Sequence, residues 1–502
     1  APGRYVALYD GDGHLDFGMD ARVMSRRKGR VDFSYTPTCN PACWFDKANW
    51  QPYCTDNGIY IRIRQLNPAN PMRNIRLIMP GFVDRYEAMP FHPYYLKSLE
   101  RYAALRFMDM QGTNHRVDRT WADRALISHR SFQDATPIEH MLLLANVLGA
   151  DPWFCMPHAA DDDYVRQFAM LTLRTLREDV VIYIEYSNEV WNLMFPQGKY
   201  AQAQGIALNL TSVGPPCITG ASECPRYRYH ARRSREVFTI WAGVFGPQLR
   251  HRLRFVLSTW TISVPATREI LMFEGAYKWA DFVGVTGYLG AVSKITSAWS
   301  AKMIPQVFEE LYSALTPTET SYQGLRAAAA QYNLTLIAYE AGPGLVQDGV
   351  IGGGGATGAV TELLVAAARD SRMEPFYREG LRALRRANVS AGRERPLMAF
   401  SSSGPFSKFG SWGHLEYTRQ PPAQAPKYRA VQRAIEDSTV GSLPRTTLPT
   451  ACFDPSLAPW GLGDSAFVGP PAVAAPAAGD RWMVGKEYTI VWDAEGAAAG
   501  SQ

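Results

Sequence analysis

Short apolar runs alternate with amphipathic stretches along most of the chain, from about residue 71 to residue 437. Apolar runs bounded by polar residues are typical of strands that are buried on both faces. The amphipathic stretches have the spacing of helices with one apolar face. The predicted strands cover residues 75–79, 104–110, 151–156, 180–186, 253–258, 281–286, 334–339 and 396–401, and predicted helices include 161–178, 227–245, 323–331 and 427–436.

Eight strands that alternate with helices predict an α/β fold, a (β/α)8 or TIM barrel, over residues 71–437. A doubly wound open sheet is the alternative. Such a sheet usually has fewer strands and often a glycine-rich phosphate-binding turn after the first. The glycine run at 352–355 has no lysine beside it and no strand before it, so it does not form such a turn.

Both ends of the chain depart from this pattern. Residues 1–70 are β-rich, with apolar and polar positions alternating at 59–63, and predict a small accessory domain. The Asp-Gly-Asp-Gly sequence at 10–13 favours a hairpin turn over a calcium loop, because the Glu that would close such a loop is absent. Pro, Ala and Gly at 438–480 predict a linker, and 481–502 resembles the start of a truncated β module.

Cysteine placement indicates an oxidising compartment. Six of the seven cysteines lie in loop-like segments, whereas Cys155 lies in a hydrophobic run. This distribution predicts three disulfides and one buried thiol, and therefore a secreted or cell-wall protein. We expect Cys217 to pair with Cys224 first, because that bond closes a short excursion. The loop cysteines are Cys39, Cys43, Cys54, Cys217, Cys224 and Cys452, and glycosylation sequons that add slight support begin at Asn209, Asn333 and Asn388.

Charge and hydropathy argue against several other classes. Although the net charge is +5, basic and acidic residues are interspersed, so no nucleic-acid partner is predicted. No segment approaches the roughly 18 uninterrupted apolar residues of a membrane span. The first predicted strand ends in Met79-Pro80-Gly81-Phe82, without the histidines that a metal-dependent hydrolase would place there. We expect a monomer with no metal and no cofactor.

Chemically reactive side chains recur where the predicted strands end. This is the face on which TIM-barrel enzymes build their active sites. Glu185, Asn188 and Glu189 lie at the end of strand 180–186, and Glu340 directly follows strand 334–339. The other strand-end residues are Arg106 and Asp109 on the second strand, His158 after the third, Tyr288 after the sixth and Trp412 after the eighth.

These residues resemble the retaining β-glycosidases of glycoside hydrolase clan A, the cellulase and mannanase type, over roughly residues 71–420. The resemblance implies that Glu189, which follows Asn188, is the acid/base and that Glu340 is the nucleophile. The clan often has Pro after the Asn-Glu pair, where this chain has Val190, which leaves the subfamily and substrate open. The clan positions expected to contact substrate correspond here to Asn188, Arg106, His158, Tyr288 and Trp412.

The chemistry of glycoside hydrolysis accounts for these residue types. Retention requires two carboxyls about 5–5.5 Å apart, one protonated and one ionised. We expect an Arg near Glu340 to lower its pKa, and burial together with the charge of Glu340 to raise the pKa of Glu189. Trp191 and Trp412 offer flat apolar faces on which pyranose rings can stack.

The predicted function is therefore hydrolysis of β-glycosidic bonds in a polysaccharide or oligosaccharide such as a β-glucan or β-mannan. The alternative is a catalytically inactive glycan-binding or structural cell-wall protein on the same barrel, because a fold does not determine a function. The presence of both Glu189 and Glu340 argues against that alternative, since a binding protein needs neither carboxyl.

Overall fold

Of the 502 residues, the computed structural model describes 3–36, 44–46, 51–53, 58–84, 86, 90–129, 132–289, 298–299, 302–315, 320–347, 358–391 and 395–438. Several sequence predictions lie outside these ranges. They are the linker at 438–480 apart from its first residue, the β module at 481–502, and the roles of Cys39, Cys43, Cys54 and Cys452.

Fifteen strands are described, numbered in chain order. They are Gly3–Asp10 (β1), Gly13–Met19 (β2), Ala21–Arg27 (β3), Arg30–Tyr35 (β4), Trp44–Asp46 (β5), Gln51–Tyr53 (β6), Ile59–Leu66 (β7), Arg73–Ile78 (β8), Ala104–Arg106 (β9), Asp151–Met156 (β10), Ile182–Tyr186 (β11), Leu253–Ser258 (β12), Phe282–Tyr288 (β13), Thr335–Gly342 (β14) and Leu397–Ala399 (β15).

Eleven α-helices are described, most of them between the strands from β9 onward. They are Pro93–Leu99 (α1), Ile138–Leu148 (α2), Asp162–Thr175 (α3), Pro196–Ala207 (α4), Cys224–Leu249 (α5), Val264–Met272 (α6), Ile304–Ser313 (α7), Gln323–Ala330 (α8), Gly358–Arg369 (α9), Met373–Arg386 (α10) and Pro426–Ser438 (α11).

The N-terminal strands form an antiparallel sheet in the order β3-β4-β1-β8, and β2 pairs separately with β7. Alternate residues of β1, namely Tyr5, Ala7 and Tyr9, belong to one apolar cluster, as the two-residue period of a strand requires, and Val6 between them is buried as well. Phe17 on β2 stacks on Phe33 of β4 with ring centroids 4.2 Å apart, so the β2–β7 pair packs against the larger sheet. The β-rich N-terminal region is thus confirmed.

The turn between β1 and β2 differs from its prediction. These strands do not pair with each other, so the hairpin predicted at 10–13 is wrong. At Gly11, which has φ 79°, the chain leaves the sheet that contains β1 and enters the pair that contains β2. A Cβ at this position would lie 2.1 Å from the Pro71 carbonyl oxygen. Asp12 accepts hydrogen bonds from Asn67 and Asn70 and forms an ion pair with Lys28, so its carboxylate stabilises the connection between β1 and β2.

The segment predicted as the first barrel strand, 75–79, belongs to the N-terminal sheet. Within β8, Ile78 pairs antiparallel with Val6 of β1. Arg73, Asn74 and Arg76 give this strand a polar face, which suits a sheet with one side near solvent rather than a barrel strand buried on both faces. The prediction of an eighth barrel strand here is therefore wrong.

The remaining seven predicted strands form one parallel sheet in the order β9-β10-β11-β12-β13-β14-β15. The two edge strands, β9 and β15, contact each other, so the sheet curves into a nearly closed, TIM-like barrel. β9 ends at Arg106 instead of residue 110, because the chain then turns and the Gln111 amide donates to the Phe107 carbonyl. The described structure thus confirms an α/β barrel of seven strands.

Two apolar layers hold this barrel together. Because side chains alternate along each strand, one set fills the interior and the other packs under the helices. The interior set includes Met108, Trp153, Cys155, Tyr183, Val256, Phe282, Ile337, Tyr339 and Met398. The outer set includes Phe154, Ile182, Ile184, Phe255, Val283, Val285 and Leu336.

The helix predicted to begin at Asp161 is α3. The Asp161 carboxylate accepts a hydrogen bond from the Tyr164 amide at 2.7 Å and so caps the helix N-terminus. Phe168 and Ala169 lie fully buried on the predicted apolar face. The helix ends at Thr175, a little before the predicted end.

The predicted Cys217–Cys224 disulfide is present, and Cys155 is a buried free thiol, as predicted. In the described part of the chain, one group of three side chains of the kinds that bind metal ions lies close together: Cys217, Cys224 and Glu269. The two cysteine sulfurs in this group are bonded to each other. The Glu269 carboxylate pairs with Arg228 at 2.7 Å. No helix among the described residues is long and apolar enough to cross a membrane.

Replacing both Cys217 and Cys224 by Ser should lower the free energy of unfolding by roughly 2 kcal/mol, because the short loop that they close becomes free in the unfolded chain. Urea unfolding of the variant and the parent chain measures this difference. An unchanged unfolding midpoint would show that the disulfide does not constrain the unfolded chain.

Candidate active site

The carboxyl ends of the parallel strands meet at one end of the barrel, and they bring the predicted residues together. Arg106 ends β9, Asn188 and Glu189 follow β11, and Glu340 lies in β14. Tyr288 ends β13. Residues far apart in sequence thus share one mouth, as expected for a barrel whose strands run in the same direction.

The Arg106 guanidinium is the centre of this group. Its Nη1 donates to Glu340 Oε1 at 2.8 Å, and its Nη2 donates to Asn188 Oδ1 at 2.9 Å. Its Nε and Nη2 both donate to Glu185 Oε2, at 3.1 and 2.9 Å. The side chain is 5% exposed and lies over the Tyr339 ring, so Arg106 is a buried cation joining two carboxylates.

Glu185 is fully buried in the barrel interior and binds the Arg106 guanidinium there. Its Oε2 also accepts a hydrogen bond from Trp153 Nε1 at 2.9 Å and lies 3.5 Å from Cys155 Sγ. Burial raises the pKa of the Cys155 thiol well above its ordinary value, so the thiol keeps its proton and can donate it. Glu185 therefore positions Arg106 rather than touching a ligand.

A β-bulge sets the direction of Glu340. Val285 of β13 is opposite Ala338 of β14, but the next residue, Thr286, is opposite Glu340, so β14 contains Tyr339 as an extra residue. Tyr339 and Glu340 both contact Arg106 inside the barrel, although consecutive strand residues normally face opposite sides. The bulge therefore turns two neighbouring side chains into the site, as bulges near active sites do.

The Glu340 carboxylate is bound through both oxygens. Oε1 accepts from Arg106, and Oε2 accepts from the Tyr288 hydroxyl at 2.5 Å. Burial raises the pKa of Glu340 above its ordinary value, and the Arg106 charge and the Tyr288 hydrogen bond oppose that rise. The prediction that Arg106 lowers the pKa of Glu340 overall is therefore wrong, because burial has the larger effect.

Glu189 has a different environment. Its backbone is in the left-handed region at φ 41°, as is that of Ser187 at φ 58°, which is a strained arrangement for residues other than glycine. Its Oε2 accepts a hydrogen bond from Asn192 Nδ2 at 2.9 Å, a neutral partner. Burial and then the charge of Glu340 raise the pKa of Glu189 to about 8, as expected in direction.

Asn188 is buried and fixed on two sides. Besides accepting from Arg106, it donates through Nδ2 to Asn114 Oδ1 at 3.0 Å. Gln197 Nε2 donates to that same Asn114 oxygen at 2.6 Å and to the Asn188 carbonyl at 2.8 Å. Asn188 is therefore fixed by Arg106 at the end of β9, Asn114 in the loop after it, and Gln197 in α4.

Aromatic rings line two sides of the mouth. Trp412 packs edge-on against Tyr288 with centroids 5.2 Å apart, and a Cβ at Gly344 would overlap its indole ring. On the other side, Trp191 donates through Nε1 to the Tyr339 hydroxyl at 3.2 Å. Trp191 also stacks on Trp260 with ring centroids 5.4 Å apart and planes 8° apart.

His158 differs from the other predicted residues. It is 3% exposed, and its ring packs edge-on against Tyr200 at a centroid distance of 5.2 Å. Burial, with the charge of Arg119, lowers the pKa of His158 to about 4. Among the described residues no hydrogen bond joins the His158 side chain to the carboxylate group at the barrel mouth.

Several residues of the site were missed by sequence reasoning. Asn114 and Trp260 lie in loops just past strand ends, and extending the strand-end search a few residues into each loop would have found both. The contact of Tyr339 with Arg106 was not predicted, because a bulge is not visible in an apolar run. Nothing in the sequence around Gln197 distinguishes it from other helical glutamines.

Comparisons with known proteins give little more. No family model matches the chain, and no curated protein matches it. Among solved structures, a GH51 arabinofuranosidase from Xanthomonas axonopodis pv. citri is similar, with 14% sequence identity and a TM-score of 0.38. The match covers 62% of this chain and 63% of that enzyme. A likeness this low carries no argument, so function must be inferred from the site itself.

Replacing Glu185 by Gln should lower the free energy of unfolding by about 3 kcal/mol, because it leaves the buried Arg106 with one charged partner fewer. Chemical denaturation measures the change. Glu362→Gln is the matched control, since Glu362 is exposed on α9 and should tolerate the same exchange. Equal stability of the two variants would contradict a positioning role for Glu185.

Proposed function

We propose that this protein is a retaining glycoside hydrolase that cleaves β-glycosidic bonds, with Glu340 as nucleophile and Glu189 as acid/base. The observation that carries the proposal is the unequal environment of two carboxyls at one barrel mouth. Glu340 is bound to a buried cation, whereas Glu189 has a neutral partner and a pKa of about 8. Glu340, beside the Arg106 charge, is then the carboxyl that ionises first and Glu189 the one that keeps its proton, as this reaction requires.

In the first step the Glu340 carboxylate attacks the anomeric carbon, and the glycosidic C–O bond breaks. Glu189 gives its proton to the departing oxygen, so the leaving sugar departs as a neutral alcohol. Arg106 and Tyr288 hold the Glu340 carboxylate in a single orientation for attack. The product of this step is a glycosyl ester on Glu340, with Glu189 ionised.

In the second step Glu189 acts as a base. It takes a proton from water, the resulting oxygen attacks the anomeric carbon, and the ester bond to Glu340 breaks. Both carboxyls return to their starting protonation states, and two displacements leave the anomeric configuration retained. Asn188 has one amide hydrogen uncommitted among its described contacts, which suits a bond to the sugar 2-hydroxyl.

The substrate class we propose is a β-linked polysaccharide or oligosaccharide, with Trp412 and Trp191 as ring-stacking surfaces. His158 belongs to this proposal only as a residue behind the site, since its ring packs on Tyr200. The Cys217–Cys224 disulfide supports a secreted or cell-wall location, where such substrates occur.

Replacing Glu340 by Gln should lower kcat on an aryl β-glycoside by more than about 10³-fold, because the nucleophile is lost. Replacing Glu189 by Gln should lower it by roughly 10²–10⁴-fold. In Glu189→Ala and Glu340→Ala, whose short side chains leave room for the anion, added azide should restore turnover, yielding a β-glycosyl azide from the Glu189 variant and an α-glycosyl azide from the Glu340 variant.

Proton NMR of the first-formed sugar separates the mechanisms in the parent enzyme, since retention gives the β-anomer. An α-anomer would overturn the nucleophile assignment. Full turnover in both variants would overturn the catalytic pair. A folded parent chain that binds glycans but cleaves none would favour the inactive binding protein instead.

The pH dependence follows from the two pKa directions. On an oligosaccharide, kcat/KM should fall above about pH 8, as Glu189 loses the proton it must donate. It should also fall on the acid side, at a pH above the ordinary Glu value of 4.5, as Glu340 gains a proton. In Glu189→Gln, assayed on a dinitrophenyl glycoside, the alkaline fall should disappear and the acid fall remain. An alkaline fall that persists would assign it to another group.

A further inference from the structure

Trp260 is a second tryptophan at the barrel mouth that the catalytic scheme does not use. It follows β12 by two residues and stacks almost parallel on Trp191, which follows Glu189 by two residues. Both rings are partly exposed. A partly exposed pair of parallel indoles beside two catalytic carboxyls presents a flat apolar surface of the kind that pyranose C–H faces pack on.

The loop that carries Trp260 is fastened to its neighbours. Thr261 Oγ1 accepts a hydrogen bond from the Thr286 amide at 2.8 Å, and the two threonine hydroxyls lie 2.7 Å apart. The Thr259 amide donates to the Gly284 carbonyl at 2.8 Å. These bonds fix the turn against β13, so the Trp260 ring is held in place before any ligand arrives.

Trp260 and Trp412 are linked to different strands of the barrel. Trp260 follows β12, the neighbour of β11, after which Glu189 lies, whereas Trp412 packs against Phe400, which follows β15. Trp412 contacts Tyr288, the partner of the proposed nucleophile. The Trp191–Trp260 pair is therefore linked to the segment that carries Glu189, and Trp412 to the residue that binds Glu340.

The direction of proton transfer distinguishes the Trp191–Trp260 surface from the Trp412 surface. The general acid protonates the leaving oxygen, so a ring that lies beside Glu189 is next to the departing sugar. Resting on the proposed function, we infer that Trp260, stacked on Trp191, is the binding surface for the sugar on the leaving-group side. The enzyme's substrate is then an oligosaccharide or polysaccharide with sugars on both sides of the cleaved bond, rather than a glycoside of a small alcohol.

The test compares two substrates of one sugar type. The first is whichever tri- to hexasaccharide of β-linked glucose, mannose or xylose the parent enzyme cleaves fastest, and the second is the matching β-glycosyl fluoride, which has no leaving sugar. Trp260→Ala should lower kcat/KM on the oligosaccharide about tenfold and leave the fluoride within about twofold. Trp260→Phe should recover most of the loss, because it restores an aromatic face.

Trp279→Ala is the matched control. Trp279 is 36% exposed and precedes β13, so it lies at the opposite end of the barrel from the mouth. The Trp279→Ala variant should leave kcat/KM on both substrates unchanged. Equal losses on oligosaccharide and fluoride in Trp260→Ala, or no loss on either, would overturn the inference and leave the proposed function intact. A parent enzyme that turns over neither substrate would overturn the proposed function and the inference together.

Discussion

One buried cation organises the barrel mouth. Arg106 is almost fully buried, and a guanidinium in that position must be matched by anions and acceptors, since an unpaired charge there would be severely destabilising. Two carboxylates and one amide oxygen meet that requirement, from β11, the loop after it, and β14. The cost of burying Arg106 therefore fixes the relative positions of strands that are far apart in sequence.

Arg106 also makes the two proposed catalytic carboxyls differ in how easily they ionise. Glu340 is in direct contact with Arg106, whereas the partner of the Glu189 carboxyl within the described structure is the neutral Asn192 amide. Ionisation of Glu340 then makes ionisation of Glu189 harder, so the two groups titrate as a linked pair. Acid and nucleophile are distinguished by their neighbours, because the two side chains are chemically identical.

Local patterns in the sequence predicted much of this arrangement. Runs of apolar residues located seven of the barrel strands, and the strand-end rule located Arg106, Asn188, Glu189, Tyr288 and Glu340. Long-range pairing was not predictable in the same way. The partner of β8 depends on which distant strand offers a free edge, and the extra residue at Tyr339 depends on the register with β13. The side-chain environment of His158 likewise depends on Tyr200, a residue of α4.

The bulge in β14 has a consequence for how such a barrel could change its role. Strand side chains alternate, so if the bulge were lost and Tyr339 paired with Thr286, Glu340 would turn towards the helices without any change of residue type. A chain with every proposed catalytic residue present would then be inert towards a glycan while keeping its aromatic surfaces. On such a scaffold, the boundary between an enzyme and a binding protein is a matter of strand register as much as of side-chain chemistry.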